Sequence, residues 1–218
     1  MSWPFNPLPM FGYNVIVIDP PTPFDTYSSA GQSKSGGGHY DTMPWEDIAK
    51  LPFGHLARGN SIVCLWACPP TLDRSFWLLQ QMGAKYKSEL IWRKVTKNGK
   101  PRRGTGYRNA GYHESVLLGV FGDEYQTHGQ FNSLFDGGEF EGEGEVFDGI
   151  ARQHSRKPDE FYDLVAQRTP DAFRCDLFSR ETRPGFDGWG NEHRKFDAAQ
   201  ILPAAPPIVL PQPIPLFE

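Results

Sequence analysis

Residues Val15-Ile16-Val17-Ile18 run directly into Asp19-Pro20-Pro21-Thr22-Pro23-Phe24, and this junction constrains the chain more than any other stretch. Four β-branched apolar residues in succession predict a strand over 14–18 that is buried on both faces, as inside a parallel sheet. The prolines remove backbone donors and fix φ at about −65°. Each also disfavours helix at the residue before it. A carboxylate is thereby left at the carboxyl end of a central strand, ahead of a stiff loop. Open α/β sheets bind ligands at that end. Taken alone, the stretch fits equally a strand that stops in a plain Pro-Pro turn.

Further strands and helices alternate along the chain. Thr42, ahead of Met-Pro-Trp-Glu, predicts a helix start with early acids, running to about residue 50. Residues 61–66 predict a second buried strand. Apolar side chains at Leu72, Phe76, Leu79 and Met82 have a helical period over 71–82. Strands are expected at 86–92 and 114–121. A helix follows at 158–166, with Pro158 at its first position and Asp159 and Glu160 in its first turn. A last strand is expected at 173–178. This alternation implies an α/β fold with a mostly parallel sheet, and 218 residues suit a single domain. No Gly-x-Gly-x-x-Gly follows a strand and no Walker loop is present, so dinucleotide and P-loop classes lack support.

The remaining segments set the boundaries. Residues 1–12 read as an irregular arm that packs Trp3, Phe5 and Phe11 on a domain spanning 13–197. Residues 22–39 form a loop long enough to expect function from it. The stretch 136–148 is acidic and glycine-rich and reads as a solvated loop. Residues 198–218 read as a proline-rich, extended tail.

A net charge of −4 argues against wholesale basic binding of nucleic acid, but the charges are segregated. Between Lys85 and Arg108 the charged residues are basic except for Glu89; between Asp136 and Asp148 they are all acidic. No apolar run approaches the roughly 18 residues of a membrane span, and the N-terminus lacks a secretory pattern. Three cysteines without framework spacing suit a reducing, cytoplasmic setting. Cys64 and Cys68 are expected as buried small hydrophobes. No second pair follows them, and His39, His113, His128 and His154 lack ligand spacing, so no metal is expected.

Short motifs recur in a fixed order: Asp19-Pro20-Pro21; Gly38-His39-Tyr40-Asp41-Thr42-Met43; Leu65-Trp66; Ile91-Trp92-Arg93-Lys94; Gly104-Thr105-Gly106-Tyr107-Arg108-Asn109 leading to His113-Glu114 and Leu117-Leu118-Gly119; His154-Ser155-Arg156-Lys157-Pro158-Asp159-Glu160; Asp176-Leu177-Phe178-Ser179-Arg180; and Gly188-Trp189-Gly190-Asn191-Glu192. The ordered set resembles the adenine-N6 methyltransferase family known as MT-A70, over about residues 13–192. The resemblance implies a Rossmann-like methyltransferase sheet with a circularly permuted motif order, the catalytic strand first and the cofactor helix and strand last. It also implies S-adenosylmethionine as the methyl donor and nucleic acid as the partner, with a homo- or hetero-dimer left open. DNA is expected ahead of RNA, because the motifs account for a bare catalytic domain.

By the same resemblance, Asp19 and the Pro20 carbonyl, stiffened by Pro21, face the target amine. Adenine N6 is a poor nucleophile because its lone pair is delocalised into the ring. Two acceptors on its N–H bonds would localise that pair toward the methyl donor. Lys157 corresponds to the lysine that binds the cofactor carboxylate. Asp19, Asp176, Arg180, Asn191 and Glu192 complete the implied cofactor set. Tyr40 corresponds to an aromatic that closes over the site. In the basic segment, Lys97, Lys100, Arg102, Arg103 and Arg108 are candidates for phosphate contact, with Tyr107 available to stack.

One position departs from the family pattern. The motif usually continues with a large aromatic that stacks on the flipped base, and here Thr22 stands there. Phe24, two residues on, is the candidate replacement. Thr22 and the proline-rich tail also fit a catalytically inactive member that binds nucleic acid or a partner. Methylation of an amide or a small amine would use the same Asp-Pro-Pro logic, but the basic segment counts against it.

Overall fold

A computed structural model describes residues 2–23, 41–104, 111–122, 146–152 and 156–197. Among the described residues, seven strands make one sheet: β1 (Tyr13–Ile18), β2 (Ala57–Ala67), β3 (Lys85–Val95), β4 (His113–Phe121), β5 (Val146–Ile150), β6 (Arg174–Leu177) and β7 (Asp187–Trp189), in the order β5-β3-β4-β2-β1-β6-β7. Helices α1 (Trp45–Ala49), α2 (Leu72–Gln81) and α3 (Asp159–Arg168) pack against it.

The sheet is mixed. β1 pairs in parallel with β2 and β6, β6 with β7, and β3 with β5, whereas β4 runs antiparallel to both β2 and β3. The expectation of a mostly parallel sheet does not foresee that reversal. It arises because β3 and β4 are consecutive and joined by a hairpin-like connection, in which Lys94 N–H bonds Tyr112 carbonyl and Gly104 N–H bonds Gly111 carbonyl.

β1 is buried on both faces, as its apolar run requires. Ile16 and Ile18 join a core with Trp45, Ile48, Leu78 and Leu79 from α1 and α2. Val15 and Val17 join the opposite core with Phe161, Tyr162 and Val165 from α3. The alternation along a single strand therefore fills two layers. α1 begins at Trp45 with Pro44 before it, later than the Thr42 cap expected, and no side-chain cap bond is formed. Phe5 of the arm is fully buried and stacks edge-on against Trp189, while Phe11, 58% exposed, meets the His55 ring at the surface and donates its N–H to the His55 carbonyl, so the arm docks deeply through Trp3 and Phe5 and shallowly through Phe11.

The sequence pattern does not predict strands β5 and β7. Residues 146–148 belong by composition to the acidic loop, yet Phe147 and Asp148 pair with Trp92 and Arg93 of β3. Both new strands lie at the sheet's edges, where short, Gly- and Asp-containing segments are accommodated.

Candidate active site

Because β1, β2 and β6 run the same way, their carboxyl ends fall along one edge of the sheet. Asp19 follows β1, Cys68 follows β2, and Phe178 to Arg180 follow β6. The reversed β4 brings its beginning to this same edge, placing Glu114 opposite Trp92 near the end of β3. The chain leaving β5 then crosses the edge through Arg152, Arg156 and Lys157 before α3 starts. A cleft lined by Asp19, Lys157, Tyr162, Asp176, Phe178 and Arg180, among others, opens there. This is the position where open α/β sheets hold ligands.

Lys157 is central to it. Its side chain is 8% exposed, with Nζ 3.0 Å from Asp19 Oδ1 and 3.1 Å from Glu114 Oε2. The ammonium also lies 5.1 Å from the centre of the Trp66 ring. Lys94 Nζ meets the other oxygen of Glu114 at 2.5 Å. Two lysines and two carboxylates thus alternate across the ends of β1, β4 and β3. A cation at the start of a helix is unfavourable, and here that misfit is met by carboxylates of the chain itself. Arg152 and Arg183 both donate to the Lys157 carbonyl, and Arg183 Nη1 also bonds Asp159 Oδ1 in the first turn of α3 at 2.7 Å. These contacts fix the backbone from which Lys157 reaches in.

The three carboxyls, half-buried Asp19 and buried Glu114 and Asp176, differ sharply. Burial raises the Asp19 pKa above its ordinary value, with Lys157 offsetting part of the effect. Burial also opposes ionisation of Glu114, but Lys157 and Lys94 outweigh it and hold that carboxyl down to about 2. Asp176, in β6 beside β1, is pushed up by burial to about 7, against the pull of Arg183. The Tyr162 hydroxyl donates to Asp176 Oδ1 at 3.2 Å. Carboxyls with such divergent affinities for a proton, gathered in one cleft, are a common feature of catalytic sites.

The backbone beyond Asp19 is tightly held. Asp19 N–H bonds the Leu177 carbonyl at 3.2 Å, Thr22 N–H bonds the Pro20 carbonyl at 2.7 Å, and Met43 N–H bonds the Pro21 carbonyl at 2.8 Å. The Pro20 carbonyl therefore keeps one lone pair for another donor. Thr22 is buried at 9% exposure. Phe178 closes β6 in a left-handed conformation, φ 61°, with its ring edge-on to Trp189.

Asp19, Lys157, Asp176 and Arg180 of the sequence-derived set come together in the cleft. Glu192 joins them through Arg180, whose Nε bonds its Oε2 at 2.7 Å, while Asn191 is exposed beside it. Lys97, Arg102 and Arg103 are exposed on the β3–β4 connection. Arg102 is partly committed, since its Nη1 donates to the Ala151 carbonyl at 2.5 Å. Phe24, Tyr40, Tyr107 and Arg108 lie outside the described residues. Cys68 is half-buried at the site's edge, 3.1 Å from the Thr71 hydroxyl, and not fully buried as expected. The sequence alone gives Glu114, Lys94 and Arg183 no role in the site. A lone glutamate among apolar residues at the start of β4 was the one local signal.

The MT-A70 family model matches residues 13–192. The Type II methyltransferase M.MunI of Mycoplasma sp is 24% identical over 204 residues, covering 86% of this chain and 81% of that protein. A putative N(6)-adenosine-methyltransferase MT-A70-like protein of Medicago truncatula is 25% identical over 165 residues, covering 68% of this chain and 25% of that protein. An N(6)-adenosine-methyltransferase MT-A70-like protein of Arabidopsis thaliana has the same identity over the same length, with 22% of it covered. Among the described residues, no helix is long and apolar enough to cross a membrane.

Proposed function

This chain belongs to the MT-A70 family, and we propose that it transfers a methyl group from S-adenosylmethionine to the N6 amine of adenine in nucleic acid, DNA ahead of RNA. The observation that carries this reading is the convergence of Asp19, Lys157 and Asp176 at the carboxyl edge of β1 and β6. The relative matched over most of its own length is the Type II methyltransferase, whereas the adenosine methyltransferases are matched over a quarter of theirs or less. The order of parts along the chain, with the Asp19 strand first and the Lys157 helix and Arg180 strand last, supports a circularly permuted arrangement.

The cleft's donor set fits the cofactor. Arg156, Lys157 and Arg180 line the cleft in ion pairs with Glu181, with Asp19 and Glu114, and with Glu192, which a cofactor carboxylate would share, and Arg156 Nε and Arg183 Nε are buried without a hydrogen-bond partner. Asp176 offers an acceptor for hydroxyls. Bound there, S-adenosylmethionine supplies an activated methyl on a sulfonium, so the chain's task is to prepare the amine.

Asp19 and the spare lone pair of the Pro20 carbonyl accept the two N–H bonds of the amine and turn its nitrogen lone pair outward. Asp19 suits the role because its raised pKa lets it retain the proton that the amine loses after transfer. Lys157, held by Arg152 and Arg183, orients Asp19 until substrate enters. The exposed Lys97 and Arg103 stand ready for phosphates.

A second reading keeps a specific observation in its favour. Thr22 is buried and offers no face for a base to stack on, which fits an inactive, nucleic-acid-binding or partner-binding subunit. Tritium transfer from labelled cofactor to adenine-containing DNA and RNA separates the two. Transfer supports the enzyme; binding of nucleic acid with no transfer supports the subunit.

A further inference from the structure

The family match ends at Glu192, and the next five residues turn back over the end of β6. His193 Nδ1 lies 2.8 Å from Ser179 Oγ. Phe196 N–H bonds the Arg180 carbonyl at 2.9 Å. The two carboxylate oxygens of Asp197 accept from the Thr182 N–H and hydroxyl, each at 2.6 Å. Every one of these anchors falls on the run 179–182, and Ser179, Arg180 and Glu181 of that run line the cleft.

The ring held by this clasp has an unusual position. The guanidinium of Arg156 lies 4.8 Å from the centre of Phe196 and that of Arg180 lies 4.6 Å from it. Both arginines line the cleft. They approach from two separate segments, one before α3 and one after β6. A cation is attracted to an aromatic face, whereas two guanidiniums repel each other. Carboxylates hold the polar sides of the two cations, Glu181 for Arg156 and Glu192 for Arg180, and the ring gives both a shared apolar face between those pairs.

We infer that Phe196 is a positioning residue for the cofactor, acting through Arg180 and Arg156, and that the Asp197–Thr182 pair keeps it in place. The inference rests on the methyltransferase reading. It adds a determinant of cofactor affinity beyond the reach of the family motifs. The ring touches the cations and does no chemistry, so its loss alters how the cofactor is held and not the rate once it is bound.

The test is calorimetric titration of the full chain with S-adenosylhomocysteine, alongside steady-state methyl transfer. Phe196→Ala is expected to bind about tenfold more weakly, the loss of roughly 1.4 kcal/mol. The KM for the cofactor rises in step, and kcat at saturating cofactor is unchanged. Phe196→Tyr retains wild-type affinity, Phe196→Leu does not, and Asp197→Ala shifts affinity in the same direction as Phe196→Ala. Wild-type affinity in Phe196→Ala or Phe196→Leu overturns the inference while leaving the methyltransferase reading intact. A lower thermal midpoint without a change in affinity shows a merely structural ring and also overturns it. No binding by the wild type defeats the methyltransferase reading itself, and the inference with it.

Discussion

Replacing Asp176 with asparagine tests the electrostatics of the cleft. The Asp176 side chain is 4% exposed, and Arg183 Nε lies 3.7 Å from its Oδ2. Burial holds its pKa up, from an ordinary 3.8 to about 7. In the unfolded chain the group ionises near the lower value, and in the folded chain near the upper. Between the two the folded state binds more protons, so stability falls as pH rises through this window and the full cost is present above it. At about 1.4 kcal/mol per pH unit, the displacement sets a ceiling of roughly 4 kcal/mol. Asparagine cannot ionise, so the variant gains on the wild type as pH rises. Urea unfolding of both proteins from about pH 5 to about pH 8 should show their difference in unfolding free energy moving by roughly 2–4 kcal/mol in the variant's favour. His193, whose pKa burial lowers, titrates in the opposite sense, but it is common to both proteins and cancels in the difference. Parallel curves would refute the reasoning, because Asp176 would then be ionised throughout.

Other consequences are equally specific. Glu114, held down to about 2, contributes stability that is present above its ordinary 4.5 and is lost as pH falls through the lower value. Glu114→Gln should lack that acid-induced loss and should be about 3 kcal/mol less stable at neutral pH, since two lysines lose their shared partner; an unchanged acid transition contradicts the ion pairs. Lys157→Met leaves Asp19 and Glu114 facing each other and should cost about 3 kcal/mol in urea unfolding; wild-type stability would show that the pairs do not form. Thr22→Trp overfills a buried position, so it should lose about 1–3 kcal/mol of stability without raising methyl transfer. A faster variant would show that the position faces substrate.

What the sequence revealed and concealed follows from locality. The strand of Asp19 was legible because an apolar β-branched run and two prolines act within a few residues. Lys157 and Arg180 were legible through motifs at the start of a helix and the end of a strand. Glu114 and Lys94 were not, because their meeting with Lys157 depends on the register that sets Trp92 opposite Glu114 and on the reversal of β4. Neither is encoded near those residues. Strands β5 and β7 escaped because Val-Phe-Asp-Gly-Ile and Asp-Gly-Trp carry little alternation, and they pair only when a neighbouring edge is present. The arm's partition into a buried Phe5 and an exposed Phe11 was likewise set by what it meets, Phe53 and Trp189 for the former.

The role assigned to Asp19 admits a direct test. DNA and RNA oligonucleotides containing adenine are incubated with S-adenosylmethionine and either the wild type or Asp19→Asn, then digested to nucleosides and analysed by mass spectrometry. The account predicts N6-methyladenine from the wild type, more from DNA than from RNA. In the variant the product should fall by at least about a hundredfold, with S-adenosylhomocysteine binding retained. Equal N6-methyladenine from both proteins would contradict the central claim that Asp19 prepares the amine.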